Sequence, residues 1–247
     1  MTEYDWIVPD WPVPLHVRSV TTTRTGGVSR GPWRSMNPAD HVGDDPQSVL
    51  ANRAHLVATL DLPSAPHWLK QVHGTTIADA ATAGEGVEAD GSWTPCADCG
   101  CAVLTADCLP VLLSDREGSS VAAVHAGWRG LAAGVIEAAV SKLQPVGGDL
   151  LAWLGPAIGP QAFAVGNDVQ DIFVGHDPRA AAAFTTLPDG SLYADLYSLA
   201  RQRLAAVGVH DVFGGQLCTA SDAERFFSYR RDGVTGRMAT LIWLAGG

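Results

Sequence analysis

The chain has 247 residues, 47% of them hydrophobic and 17% charged, and a formal net charge of −10. That apolar content suffices for a sizeable core, and the acidic balance argues against a general nucleic-acid binder. No run approaches the ~18 unbroken apolar residues of a membrane helix, because Asp107, His125, Arg129 and Glu137 punctuate the most apolar region.

The opening MTEYDWIVPD has acids and no basic stretch ahead of an apolar one, unlike a signal peptide. The cysteines are Cys96, Cys99, Cys101, Cys108 and Cys218. An odd number without an export signal favours reduced thiols and a cytoplasmic setting. LHVRSVTTTR, from Leu15, alternates as a strand does and runs into Gly26-Gly27, a turn whose backbone can approach a ligand. Asp45-Pro46 predicts a helix start, with Val49, Arg53, Leu56, Val57 and Leu60 on one face. Arg53 is the odd member of that apolar stripe, its stem able to pack while its head reaches water.

WLKQVHG, residues 68–74, predicts a short strand ending at His73-Gly74. TADCLPVLL, residues 105–113, sets an acid, a thiol and a proline between apolar runs, so a strand end or bulge opening onto a site is expected there. SVAAVHAGWRG, residues 120–130, repeats the plan of an apolar run ending in histidine with glycine close behind. Ala132, Ile136, Ala139, Val140 and Leu143 then predict a helix, stopped by Pro145 and Gly147-Gly148.

LLAWLGPAIGP reads as another buried strand, Asn167 with Asp168 as the cap of a short helix, and Asp177-Pro178 as the start of a further helical segment. Asp195 starts a helix with Leu196, Leu199, Ala200, Leu204 and Val207 inward and Gly208 at its end, while VFGGQLCTA and MATLIWL supply late strands. No Pro/Gly/Ser-rich or charged linker interrupts the chain, so the expectation is a single α/β domain over residues 1–247.

Eight histidines and five cysteines allow many metal-binding trios, so position has to select among them. His73, Cys108 and His125 each lie at or beside the end of an apolar run, and adjacent strands ending together would present them to one cleft. Two imidazoles and a thiolate suit zinc and leave a fourth position open, the arrangement of a catalytic site. Asp107, beside Cys108, is placed to orient a ligand or move a proton. The competing motif PCADCGC, residues 95–101, offers only half of a zinc-finger ligand set, and Cys218 reads as a packed thiol.

KQVHG, TADCLPVLL, AAVHAGWRGL, AWLGPAIGP and FFSYRRDGVTGRMATLIWL resemble, in that order, the signature segments of the YfiH-like family, also called laccase-domain or multicopper polyphenol oxidase proteins. The resemblance runs from about Thr23 to Leu244. It implies a layered sandwich of mixed sheets with helices packed on the outside, and a zinc held by His73, Cys108 and His125. Members are described as purine nucleoside phosphorylases with adenosine deaminase activity. The resemblance therefore implies phosphorolysis of adenosine, inosine and S-methyl-5′-thioadenosine and deamination of adenosine, with Asp107, Cys108 and His125 as catalytic residues.

TRTGGVS and Asn52-Arg53 also look like family positions, whereas SMNPADHVGDD keeps Asn37 in an altered setting. Phosphorolysis needs an anion clamp, and Arg24, Arg53 and Arg129, with Asn37, are the candidates for binding substrate or phosphate. The expected partners are purine nucleoside and phosphate, without nucleic acid or membrane, on a chain read as a monomer. Rival readings are a hydrolase with Cys108 as nucleophile and His125 as base, a cell-wall-editing factor, and a copper-dependent polyphenol oxidase. Copper could replace zinc in the trio, yet the chain has no His-x-His pair of the multicopper kind.

Overall fold

Strands buried on both faces read as unbroken apolar runs, and this chain places several of them back to back. The computed structural model describes residues 4–62, 64–143 and 149–246. In chain order come β1 (Val17–Thr21), α1 (Pro46–Leu60), β2 (Ile77–Asp79), β3 (Gly91–Thr94), β4 (Gly100–Thr105), β5 (Leu109–Asp115) and β6 (Val121–Ala126). Then follow α2 (Trp128–Ala133), α3 (Val135–Lys142), β7 (Leu150–Leu154), β8 (Ala164–Val165), α4 (Asn167–His176), β9 (Phe184–Thr186) and β10 (Leu192–Ala194). The chain closes with α5 (Leu196–Ala206), β11 (Asp211–Gly214), α6 (Tyr229–Asp232) and β12 (Met238–Leu244).

A three-stranded antiparallel sheet has the order β1-β12-β4, and a six-stranded mixed sheet has the order β11-β7-β5-β6-β3-β2. β8, β10 and β9 make a third, small sheet. The two-residue alternation of side chains sorts the core. Leu112 of β5, Val121 and Ala123 of β6 and Leu151 of β7 meet Cys101 and Val103 of β4 and Ile242 of β12 between the two larger sheets. Val111, Leu113, Ala122 and Val124 point the other way, onto Ile136 and Ala139 of α3 and Leu199 and Leu204 of α5. Ala102, Leu104, Ala239 and Leu241 cover Leu56 of α1 with Trp68 and Met36. The order across the molecule is therefore α1, smaller sheet, larger sheet, then α2 to α5, which is the layered α/β sandwich expected.

The caps behave as their residue types require. Asp45 accepts from the amides of Gln47 and Ser48, and Asp195 from those of Tyr197 and Ser198, each worth about 1 kcal/mol against alanine. Elsewhere local signals yield to their surroundings. α4 is capped by Gly166, with Asn167 already inside its first turn, and the segment after Asp177 is a 3-10 helix over Pro178–Ala183. The helix expected over 132–143 is two helices, broken where Gly134 takes a left-handed conformation at φ 99. Its expected stop at Pro145 and Gly147-Gly148 lies outside the described residues. WLKQVHG is not a strand: only Lys70 bridges, to Glu88. In VFGGQLCTA the strand ends at Gly214, with Cys218 making one isolated bridge to Ala157. Gly27 does not open toward a ligand, because a Cβ there would strike Met36 and the Asn52 side chain.

Candidate metal centre and active-site cleft

The interruption in TADCLPVLL is the corner at which the chain leaves the smaller sheet and enters the larger one. β4 ends at Thr105, β5 begins at Leu109, and the corner turns on Asp107, held at φ 88. Pro110 is tolerated inside β5 because its missing N–H falls on the β7 side just past the paired length of β7, where only its carbonyl is used, accepting from the Gly155 amide. Pro110 pairs with His125 across β5 and β6. Cys108, two residues before Pro110, therefore comes to the same face as His125.

His73 arrives differently, on a loop rather than a strand end. It sits at φ 61, and the segment before it is fastened to β4 by Gln71, whose amide donates to the Leu104 carbonyl and accepts from the Leu104 N–H, both at 2.8 Å. The fully buried carboxylate of Asp90 then takes the backbone N–H groups of Val72 (3.2 Å), His73 (2.8 Å) and Gly74 (2.6 Å). Asp90 also bonds Nδ1 of His125 at 2.8 Å. One carboxylate thus positions both histidines, a role that the sequence reading missed. Its partners lie 17 and 35 residues away, beyond any local spacing rule.

The outcome is a trio whose ligand atoms all lie within 4.8 Å of one another, with Cys108 Sγ 3.7 Å from His73 Nε2. Gly127 makes the approach possible, since a Cβ there would stand 2.7 Å from the His73 ring and 3.1 Å from the Cys108 sulfur. His73 is exposed, Cys108 half-buried and His125 buried, so the trio opens to solvent on one side. Burial opposes a thiolate at Cys108, but the charge and hydrogen bonds of His125 and a hydrogen bond from His73 outweigh it and bring the thiol down to about 6. Burial lowers His125, and the Cys108 charge and Asp90 reverse this and raise it to about 9. Burial likewise opposes the Asp90 charge, yet the bonds from His125, Gly74 and Val72 hold it below the ordinary carboxylate value.

These donors fit a zinc-like cation. With Nδ1 of His125 committed to Asp90, Nε2 is the free ligand atom, and the thiol is already biased toward the form a metal binds. Among the described residues this is the one group of three or more such side chains suited to an ion. Cys96, Cys99 and Cys101 take no part in it: they run from exposed through half-buried to buried, at the junction of β3 and β4.

Two members of the trio, His73 and Cys108, open into a cleft of about 280 Å³ that is also lined by Asp107, Trp128, Phe163 and Tyr229, together with Arg129 and Arg230, while His125 is buried behind them. Asp107 is buried, and both its oxygens are engaged. Oδ1 accepts from Thr219 Oγ1 at 2.6 Å, and Oδ2 from Ser228 Oγ at 3.0 Å and the Arg230 N–H at 2.7 Å. Of the candidates for anion binding, only Arg129 lines this cleft. Arg24 donates to the carbonyls of Arg34 and Ala223 beside a different hollow. Arg53 stacks on Trp68 and pairs with Asp40 and Glu85 beside another. Asn37 is fully buried, bonding Ala39, Asp44 and the Arg237 amide. Tyr229, Phe163 and Arg230 had no local signal as site residues, since α6 and the β8 region reach the trio only through the fold.

No helix among the described residues is long and apolar enough to cross a membrane. The domain described as multi-copper polyphenol oxidoreductase laccase matches residues 18–245. A purine nucleoside phosphorylase of Pseudomonas aeruginosa is 52% identical over 240 residues, covering 97% of this chain and 98% of that protein. The purine nucleoside phosphorylase YfiH of Escherichia coli K12 is 52% identical over 241 residues, covering 96% and 98%. The crystal structure of a Neisseria meningitidis protein superposes with a TM-score of 0.93 at 47% identity, covering 98% of this chain and 100% of that one. With sequence, fold and domain in agreement, the chain belongs to the YfiH-like family, whose domain carries the laccase name.

Proposed function

We propose that this protein is a zinc-dependent purine nucleoside enzyme. In this reading it cleaves adenosine, inosine and S-methyl-5′-thioadenosine with phosphate and deaminates adenosine to inosine, both in the cleft of His73, Cys108 and His125. The observation that carries the reading is the convergence of two imidazoles and a thiol, from a loop, a corner and a strand, beside a cleft lined by aromatic rings. The names of relatives that match nearly the whole chain at about half identity support the phosphorylase part.

His73, Cys108 and His125 would hold the ion, which when bound supplies a Lewis acid. Asp90 keeps the His125 proton on Nδ1 and fixes the loop bearing His73. Trp128, Phe163 and Tyr229 offer flat apolar faces to a purine. In phosphorolysis a phosphate oxygen bonds to C1′ as the C1′–N9 bond breaks, its electron pair leaving with the base, which takes a proton. In deamination a water oxygen adds at C6 and ammonia departs with a proton. Asp107, its oxygens filled, acts in this reading by seating the cleft wall and not by carrying the proton.

Purified protein with adenosine, with and without phosphate, tests the reading when adenine and inosine are measured separately beside metal content. Phosphate-dependent adenine, phosphate-independent inosine and one zinc per chain are expected, with Cys108→Ala and His125→Ala losing zinc and both products. Unchanged adenosine at full zinc occupancy would end it. The second reading, a hydrolase with Cys108 as nucleophile, is favoured by the 3.7 Å approach of Sγ to Nε2 of His73, which makes His73 the base in place of the expected His125. It requires activity that survives chelation and is lost on alkylation.

A further inference from the structure

Acidic proteins that bind anions must collect positive charge locally against their own field. This chain carries a net −10, yet the cleft that His73 and Cys108 line also holds Arg129 and Arg230. Among the described residues neither guanidinium pairs with a carboxylate: Arg129 lies over Trp128 at 4.3 Å, and Arg230 lies over Phe163 at 5.4 Å with one N–H to the Ala164 carbonyl. The one carboxylate in the lining, Asp107, is spent on Thr219, Ser228 and the backbone of Arg230. It therefore seats Arg230 without occupying its guanidinium. A third arginine, Arg237, stacks on Tyr229 at 5.9 Å and adds positive charge behind the same wall.

We propose that Arg230 and Arg129, each braced on an aromatic ring, form a clamp for a tetrahedral oxyanion facing the His73-Cys108-His125 trio. Ring-stacked guanidinium groups keep their outer N–H donors free and fixed in direction, which suits a phosphate-shaped ligand better than a mobile ammonium does. The same chemistry serves free inorganic phosphate or the phosphate ester of a nucleotide. The role in catalysis rests on the phosphorolytic reading above, whereas the binding does not.

Calorimetric titration of the zinc-loaded chain with inorganic phosphate, and separately with adenosine 5′-monophosphate, tests this. Arg230→Gln and Arg129→Gln are each expected to weaken binding by about tenfold or more, the scale of one lost charged hydrogen bond. Arg230→Lys should fall between them and the parent, and Arg179→Gln, an exposed arginine paired to Asp177 away from the cleft, should match the parent. Weakening of inorganic phosphate identifies the free anion as occupant; weakening confined to the nucleotide identifies the ester, and either supports the clamp. Both ligands binding within twofold of the parent in both Gln variants would overturn it. Should Arg230→Gln fail to fold, Arg230→Lys and Arg129→Gln carry the same comparison. Phosphate-dependent cleavage with an unchanged phosphate KM in the variants sinks the clamp and leaves the enzyme reading; lost anion binding without any nucleoside cleavage does the reverse.

Discussion

Asp90 connects the two histidines of the trio through four donors, three of them backbone amides of the loop that carries His73. Replacing it with Asn removes the charge and one acceptor, so the loop and the His125 tautomer both lose their anchor. Asp90→Asn should weaken metal binding by about 10–100-fold, the range found for partners that orient metal-ligating histidines. A competition titration against a chromophoric chelator measures it, and parent-like affinity would remove Asp90 from this role. Cys108 offers a second measurement. In the metal-free chain its thiolate is favoured by His125 and His73 against burial, with the thiol at about 6. Its alkylation by iodoacetamide should therefore rise with pH to a plateau with a midpoint near 6, and metal should suppress it. A midpoint in the ordinary thiol range of about 8.5 would show that the histidines do not stabilise the Cys108 thiolate.

At the scale of elements, the corner between β4 and β5 and the step from β6 into α2 build the site. Gly127 occupies that step at φ −63, a conformation open to any residue. Its absence of a side chain serves the close approach of His73 and Cys108 and not the backbone. Gly127→Ala should leave the metal-free chain folded, shift its unfolding free energy by no more than about 1 kcal/mol, and lower metal affinity at least about tenfold. Thermal unfolding without metal, beside the chelator titration, separates these effects, and unaltered affinity would show that the trio has room to spare. This scale is also where local patterns and structure part. WLKQVHG reads as a short strand, yet beyond Lys70 the backbone donors of Val72, His73 and Gly74 go to the Asp90 carboxylate and the Gln71 amide to β4, so side chains replace the ladder. Ala132 to Leu143 carries one helical period, yet Gly134 divides it, and α2 and α3 both pack on the sheet.

For the whole molecule, the central β5–β6 pair is pinned at both ends by buried carboxylates. Asp90 binds His125 at one end, and at the other Asp115 accepts from the amides and hydroxyls of Ser119 and Ser120. Burial opposes each charge, and the hydrogen bonds outweigh it, so both titrate below the ordinary aspartate value in the folded chain. A carboxylate depressed on folding contributes stability that is present above its unfolded pKa of about 3.9 and is lost as pH falls through the lowered folded value. The metal-free chain should accordingly lose stability below about pH 4. Asp115→Asn should be less stable at neutral pH and show a shallower acid decline. Urea midpoints between pH 7 and pH 3 measure both, and parallel profiles would exclude Asp115 as a contributor.

What could be read along the chain was much of what neighbours in sequence govern: the caps at Asp45 and Asp195, the buried runs of β5, β6, β7 and β12, and the break at Asp107 and Cys108. Periodicity and capping depend on a few adjacent residues, so they survive without coordinates. The trio was legible because each member stands beside a break in an apolar run and because the surrounding segments resemble one family. Which arginine faces it was not. Arg24, Arg53 and Arg129 have similar glycine or apolar settings in sequence, but only Arg129 reaches the cleft, while Arg230 arrives through an Asp107–Ser228 bond spanning 121 residues. Such contacts are decided by how the two sheets stack, since side chains far apart in the chain meet only when strands from different sheets end at the same edge.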